Sequence, residues 1–369
     1  MSLRWKLGAV ARALGMACVV FLSMGANGQN LSNNVPGETW QQLATPEQSG
    51  WSARGLEAVG DYLHRIGSSS AMIVQHGVIV QTWGDTTYRS NLHSCRKSLL
   101  NALIGIAVAQ HKVNLDDTLD QLGIDDEAPS LSPTEKQATV REMLEARSGV
   151  YHAAAYETDR MAEERPSRGS HLPGEFWYYN NWDFNTLGYI YEHATGMTIF
   201  DAFYRQIAKP IGMQDFTSND GHYVTIPESR FPAYLFDMSA RDFARFALLY
   251  LRGGRWNGVQ VVPAAWVKAS TTAYSDTPSG GYGYLWWTGA SASGDSASID
   301  FPHDSFWAEG HLGQYAVAVP SLDLVIVNRV VDHGKGKARH SVSKREVARL
   351  VDLVISAAPK SADAGSGAL

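Results

Sequence analysis

The sequence predicts an α+β fold in which an antiparallel sheet is flanked by helices and an all-helical region is inserted between its two halves. Three observations predict it. Runs rich in β-branched and aromatic residues cluster near both ends, at 71–83 and 282–328. The stretch between, from about Val113 to Ala273, carries mostly helical periodicity. Neighbouring strand runs are joined by short turns, His76-Gly77 and Pro320-Ser321-Leu322-Asp323, and such turns connect antiparallel partners. At 369 residues, with 44% apolar and 18% charged residues, the chain can bury a large core.

In order along the chain, Arg4, Lys6 and Arg12 precede an apolar run from Ala13 to Gly25, and Ala26 and Gly28 supply the small residues of a cleavage site. That run is too short to span a bilayer, so 1–28 reads as a secretory signal peptide and the mature protein as periplasmic or secreted. Its removal takes away three cations and no acids, moving the net charge from −6 to −9. Nothing in that balance favours nucleic acid or an anionic membrane surface. Cys95 becomes the only mature cysteine, which excludes an internal disulfide.

Leu56, Val59, Leu63 and Ile66 put an amphipathic helix over Trp51–Ile66. Ala71–Gln75 and Val78–Trp83 form a hairpin, and a buried helix begins near Ser94. Pro133 to Lys136 opens a helix carrying Val140, Met143 and Leu144. Tyr151 to Glu175 has no period and is long for a loop, as lids and pocket rims often are. Helices are expected over Phe184–Ala194 and from Ser239 to Tyr250, then strands at Tyr282–Thr288, Tyr315–Val319 and Leu324–Asn328. A capping box at Ser343–Glu346 opens a last helix. The expected organisation is sheet-forming parts over 29–95 and 274–358, a helical part over 96–273, and a disordered tail over 359–369.

Ser94-Cys95-Arg96-Lys97 is the stretch with chemistry in it. Three residues apart on a helix, Ser94 and Lys97 share a face, and an ammonium or amine there can reach the serine oxygen. Alone the pattern is weak, since about one Ser-x-x-Lys is expected by chance in a chain of this size. A second copy, Ser341-Val342-Ser343-Lys344, sits where serines cap a helix and is assigned to structure. Two further signals follow in order. Tyr178-Tyr179-Asn180-Asn181 contains Tyr-x-Asn twice, and Glu309-Gly310-His311-Leu312-Gly313-Gln314 leads into a strand. The chain has no Gly-x-Ser-x-Gly elbow and no His/Cys cluster, so neither an α/β-hydrolase nor a metal site is expected, and no cofactor is required.

Taken together, Ser-x-x-Lys, Tyr-x-Asn and His-x-Gly in this order resemble the serine β-lactamase and penicillin-binding-protein-like superfamily. The likeness is greatest to the class C β-lactamase-related branch of esterases and 6-aminohexanoate-dimer hydrolases. It spans about Trp51 to Ile355 and includes Leu144–Val150 and Tyr250–Gly258. The resemblance implies a β-lactamase/transpeptidase-like fold and a serine hydrolase acting on a small-molecule ester or amide through an acyl-enzyme. In that family the motif tyrosine is followed eight and nine residues later by a Leu-Gly pair, so the resemblance, counted back from Leu187-Gly188, selects Tyr179 over Tyr178. Ser94 would be the nucleophile, Lys97 and Tyr179 would share the base work, and the backbone N–H groups of Ser94 and Gln314 would form the oxyanion hole. Asn181, His311 and Gly313 would contact substrate.

Relatives that recognise penicillin usually carry lysine where this chain has His311. A histidine is mostly neutral at pH 7, which favours acyl substrates without an obligatory carboxylate there. A β-lactamase or D-Ala-D-Ala carboxypeptidase is the catalytic alternative, and a penicillin-binding-type recognition protein the non-catalytic one. Tyr282, Tyr284, Trp286, Trp287, Phe306 and Trp307 are candidates to line an apolar acyl pocket or to pack the sheet.

Overall fold

The computed structural model of the protein describes residues 34–294, 301–331 and 341–360. The expected signal peptide and most of the tail lie outside these residues. The chain enters through α1 (Ala53–Arg65), capped by Ser52, and the hairpin β1 (Ser70–Gln75) and β2 (Val78–Gly84). His76 and Gly77 both have positive φ, as a two-residue type I′ turn requires. The short β3 (Ser90–Asn91) leads into α2 (Arg96–Ala109). Then come α3 (Val140–Leu144), α4 (Asp159–Glu163), α5 (Asn181–Thr195), α6 (Ile199–Phe203), β4 (Gly221–Ile226), β5 (Ser229–Met238) and α7 (Ala240–Leu251). A small pair, β6 (Arg255–Trp256) and β7 (Val259–Gln260), precedes α8 (Ala264–Ser270). The chain returns to strand as β8 (Ser275–Thr277), β9 (Gly280–Tyr282), β10 (Trp287–Thr288), β11 (Phe306–Gly310), β12 (Gln314–Val319) and β13 (Leu324–Arg329), and α9 (Lys344–Ala357) follows.

One eight-stranded antiparallel sheet, in the order β2-β1-β13-β12-β11-β10-β9-β8, joins the N-terminal hairpin to the C-terminal strands. Its central strands read as unbroken apolar runs because both faces are covered. Alternate residues Ala71, Ile73, Val317, Val319, Leu324 and Ile326 pack under α1 and α9. The intervening Met72, Val74, Ala316, Ala318, Val325 and Val327 join the larger core that contains α2, α5 and α7. Helix α2 lies inside that core and is buried all round, including Arg96, Lys97, Ser98 and Asn101. Its polar groups are used: Ser98 donates to the Leu285 carbonyl at 2.9 Å, and Asn101 to that of Tyr284 at 2.8 Å.

Three local expectations need correction. The middle region is not all helical, because β4 and β5 form a hairpin that pairs with β3 in a three-stranded sheet. Pro232 argues against a strand there, but it falls where the β4–β5 register shifts, and a bulge tolerates a residue without an N–H. The single strand expected over Tyr282–Thr288 is two strands. Gly283 N–H donates to the Trp286 carbonyl at 2.8 Å and Leu285 has φ +57°, so the chain turns back on itself. The helix expected from Pro133 is only a 3₁₀ turn, Glu135–Gln137. Ala138 is extended, and α3 starts afresh with a Thr139/Glu142 capping box. Among the described residues, no helix is long and apolar enough to cross a membrane.

Candidate active site

The site grows from the approach to α2. Strand β3 pairs with β5, and the buried Arg329 ties the two by donating to the carbonyls of Ser90 and Met238. Asn91 then accepts from the His93 N–H at 2.7 Å, and His93 takes φ +49°, which turns the chain into a 3₁₀ turn over His93–Cys95. Ser94 is left half-buried at the start of the helix. Helical rotation points the next side chains in different directions. Cys95 is buried with Sγ donating to the Gln314 carbonyl at 3.3 Å, and burial pushes its thiol far up, so it is inert.

Lys97 is 2% exposed, and its Nζ lies 2.9 Å from Ser94 Oγ and 2.7 Å from the Tyr179 hydroxyl. It also sits over the rings of Tyr179 and Phe184, at 4.3 and 4.7 Å from their centroids. Burial, reinforced by the neighbouring Arg96 guanidinium, holds the Lys97 amine well below the ordinary lysine range. Burial pushes the Tyr179 phenol in the opposite direction, above its usual value. Burial thus favours the uncharged form of both groups. That arrangement provides a basic nitrogen against the serine and a proton-bearing hydroxyl on its other side.

Tyr178 and Tyr179 lie on one extended segment held by the bond from Tyr178 N–H to the Ala146 carbonyl, 2.9 Å. Their hydroxyls diverge. Tyr178 donates to the carbonyl of Met161 at 2.6 Å, whereas Tyr179 meets Lys97. Asn180 caps α5, accepting from the Trp182 N–H, so the helix start fixes the tyrosine just before it. Asn181 is buried and absent from the cleft wall. Its Nδ2 donates to the Tyr156 carbonyl at 2.7 Å, pinning the 151–175 loop, while its Oδ1 has no hydrogen-bond partner.

Strand β11 brings in the third motif. A Cβ on Gly310 would stand 2.4 Å from the Leu92 carbonyl oxygen and 3.1 Å from Cys95 Sγ, so only glycine lets this strand end lie against the start of the helix. Gly313 has φ +104° and would strike Val342 with any side chain. It is a hinge into β12 and does not line the cleft. The Gln314 side chain points inward, donating to the Val330 carbonyl at 2.6 Å and accepting from Arg329 Nε at 2.7 Å. Only its backbone is left beside the Ser94–Cys95 turn. His311 is exposed at the cleft and meets His93 edge-on, with centroids 5.6 Å apart.

The cleft over Ser94 measures about 600 Å³. The loop expected as a rim does line it, through Thr158, Arg160, Met161 and Glu164. Of the six aromatics proposed for an acyl pocket only Trp287 reaches it, stacked on Tyr179 with centroids 5.5 Å apart; Tyr282, Tyr284, Trp286, Phe306 and Trp307 are core. Trp177, not singled out in the sequence, joins the wall. Lys344 was also missed. Ser343 and Glu346 do form the capping box of α9, but the Lys344 side chain reaches the cleft, 2.9 Å from Glu309 Oε2, 2.8 Å from Ser279 Oγ and 4.0 Å over the Trp287 ring. Among the described residues, His/Cys/Asp/Glu groups able to hold a metal ion are absent.

Compared with known families, residues 55–339 match the Beta-lactamase family model. Solved structures of the same fold include a candidate 6-aminohexanoate-dimer hydrolase from Bacillus anthracis, at 18% identity and TM-score 0.63, covering 89% of this chain and 91% of that one. A candidate β-lactamase from Bacteroides dorei aligns at 16% identity and TM-score 0.60 over 83% of this chain and 98% of its own. A penicillin-binding-protein homologue from Caulobacter crescentus aligns at 15% and 0.58 over 84% and 99%. At such identities these likenesses are statements about fold. No curated protein matches the sequence.

Proposed function

The chain belongs to the Beta-lactamase family, and on that footing we propose that it is a secreted serine hydrolase that cleaves carboxylic ester or amide bonds through an acyl-enzyme on Ser94. The observation that carries the proposal is the position of Lys97 Nζ, within hydrogen-bonding distance of both Ser94 Oγ and the Tyr179 hydroxyl. A serine hydroxyl becomes a competent nucleophile when a base takes its proton. The neutral Lys97 amine is that base. As Ser94 Oγ attacks the acyl carbon, its proton passes to Lys97, and the Tyr179 hydroxyl relays a proton to the leaving alkoxide or amine. The phenol then recovers its proton from Lys97. Water repeats the sequence on the acyl-enzyme: it gives a proton to the same pair, and Ser94 leaves with one. In this reading the N–H groups of Ser94 and Gln314 hold the oxyanion, and the close packing of Gly310 against Leu92 and of Cys95 against the Gln314 carbonyl supports it.

Charge in the cleft favours substrates without an obligatory carboxylate. Among the described residues its two lining cations outside the reacting set are each matched by an acid, Arg160 by Glu164 at 2.8 Å and Lys344 by Glu309 at 2.9 Å. His311 offers no fixed cation beside Ser94. The 1–28 leader supports export, and the N-terminal sequence of the mature protein checks that assignment. The functional test sets a chromogenic short-chain ester against a chromogenic cephalosporin. Faster turnover of the ester is expected. Preference for the cephalosporin would make the protein a β-lactamase, and failure of a fluorophosphonate to label Ser94 would leave only a recognition role.

A further inference from the structure

Arg96 stands between the serine and the lysine of the motif, and the catalytic sequence above does not use it. Its side chain is 0% exposed. Nη2 donates to Asn185 Oδ1 at 2.9 Å and the guanidinium lies 4.3 Å over the Tyr234 ring. Nε and Nη1 have no hydrogen-bond partner, and among the described residues no carboxylate forms an ion pair with Arg96. Its neighbours are an amide and a phenol. A guanidinium keeps its proton in a protein and cannot escape burial by neutralising. An uncompensated buried charge is costly, so its presence one residue from Lys97 calls for an explanation.

We propose that Arg96 is a positioning charge whose unpaired field keeps the Ser94/Lys97/Tyr179 set one proton short, so that Lys97 is a free base at neutral pH. The effect is the same whichever group formally carries the proton. Neutral lysine with neutral phenol and ammonium with phenolate both sum to zero charge. The alternative with one more proton sums to plus one, and a fixed cation nearby disfavours that state alone. Lys97 and Arg96 rest on consecutive residues of α5, Phe184 and Asn185, and Tyr234 closes the gap by donating to the Phe184 carbonyl at 3.2 Å. Among the described residues, no other group around the pair supplies the missing anion. Asp183 on α5 is bonded to Ser148 and Asn180, and burial lifts its carboxyl well above the usual range. Glu309 on β11 is taken by Lys344. The Cys95 thiol, Tyr282 on β9 and Tyr234 on β5 are buried and keep their protons. Arg329 on β13 adds a second cation beside Cys95.

The inference deepens the hydrolase reading, and its first measurement does not need turnover. Lysine labelled with ¹³C at Cε is titrated by NMR in the whole chain, with the Lys97 signal assigned by its loss in Lys97→Met. In the unaltered chain the Lys97 midpoint is expected well below that of an ordinary lysine. A midpoint near 10 overturns the proposal whatever the variants do. In Arg96→Met and Arg96→Gln, which remove the charge with and without a polar end, the midpoint is expected to rise by about one unit. An unmoved or lower midpoint in either folded variant overturns it. The pH dependence of fluorophosphonate labelling of Ser94 is then expected to shift its acid limb upward by the same amount, with the alkaline plateau kept. A merely structural role would instead lower labelling at every pH. Absence of labelling throughout, with the lysine midpoint moving as stated, would count against the hydrolase reading and leave the Arg96 assignment standing.

Discussion

Tyr179→Phe and Tyr178→Phe form a matched pair, because each removes one oxygen from adjacent residues of the same segment. In Tyr179→Phe the ring keeps its packing against Trp287, Phe184 and Tyr282. No cavity of consequence opens. What is lost is the 2.7 Å bond to Lys97 and the proton-bearing oxygen beside it. Stability should fall by only about 1 kcal/mol, the net worth of a typical hydrogen bond, since the neutral amine retains Ser94 as a partner. The rate should fall much further. A positioned acid–base group typically contributes about 10²–10⁴-fold, equivalent to roughly 3–5 kcal/mol of barrier. In Tyr178→Phe the lost bond, to the Met161 carbonyl, loosens a loop at the rim and touches no reacting atom. The expected change is under about tenfold and falls mainly on KM. Steady-state kinetics on a chromogenic ester, with thermal unfolding to show both variants folded, reads both numbers. If Tyr178→Phe lost as much kcat as Tyr179→Phe, or if Tyr179→Phe kept activity within tenfold, the assignment of the relay to Tyr179 would be wrong.

Gly310→Ala places a Cβ 2.4 Å from the Leu92 carbonyl, a backbone atom that cannot rotate away. The strand must shift from the helix start, and kcat is expected to fall about 10²–10³-fold, as when an oxyanion donor is displaced, with circular dichroism unchanged. Lys344→Met leaves Glu309 without its ion-pair partner and turns that side of the cleft negative. KM for an ester bearing a carboxylate should rise about fivefold or more and that for a neutral ester by less than about twofold, a contrast that added salt should shrink. For Asp183→Asn the measurement is thermal unfolding from pH 4 to 8. Burial raises the Asp183 carboxyl well above its ordinary value. Below the ordinary value both folded and unfolded chains hold the proton; as pH rises past it only the folded chain does, so stability falls with rising pH until the folded group ionises. The asparagine variant should lack that decline, and an identical pH slope in both proteins would refute the assignment.

The parts of the fold visible in the sequence are those where one local signal decides the outcome. Unbroken apolar runs in β1, β12 and β13 specify strands covered on both faces, and the three-residue spacing of Ser94 and Lys97 specifies a shared face. The count back from Leu187-Gly188, which uses the spacing of the resembled family, selects the tyrosine whose hydroxyl meets Lys97, and α5, starting at Asn181 behind the Asn180 cap, holds that register. Elsewhere two signals compete. Pro232 hides β5, since a proline tolerated at a bulge looks locally the same as one that forbids a strand. The aromatics of β9 to β11 are suited equally to a core and to a pocket, and sheet position alone separates Trp287 from the others. Lys344 was misjudged for a related reason. A capping box accounts for the backbone of its residues and says nothing of an ammonium four methylenes away, which lands over Trp287.

Burial itself links these features. Ser94, Cys95, Arg96 and Lys97 point successively to the cleft, to β12, to α5 and to Tyr179. That is possible only for a helix surrounded by protein, because a surface helix would give two of the four to water. Surrounded in this way, Lys97 can be buried or charged but not both without an acid beside it, and the described residues provide none. Burial and the neighbouring Arg96 guanidinium both disfavour the charged form of Lys97. The basicity that Ser94 needs thus follows from the depth at which α2 is packed. Substitutions that let water reach Lys97 should therefore lower activity at neutral pH and restore it at alkaline pH, even where every motif residue is intact.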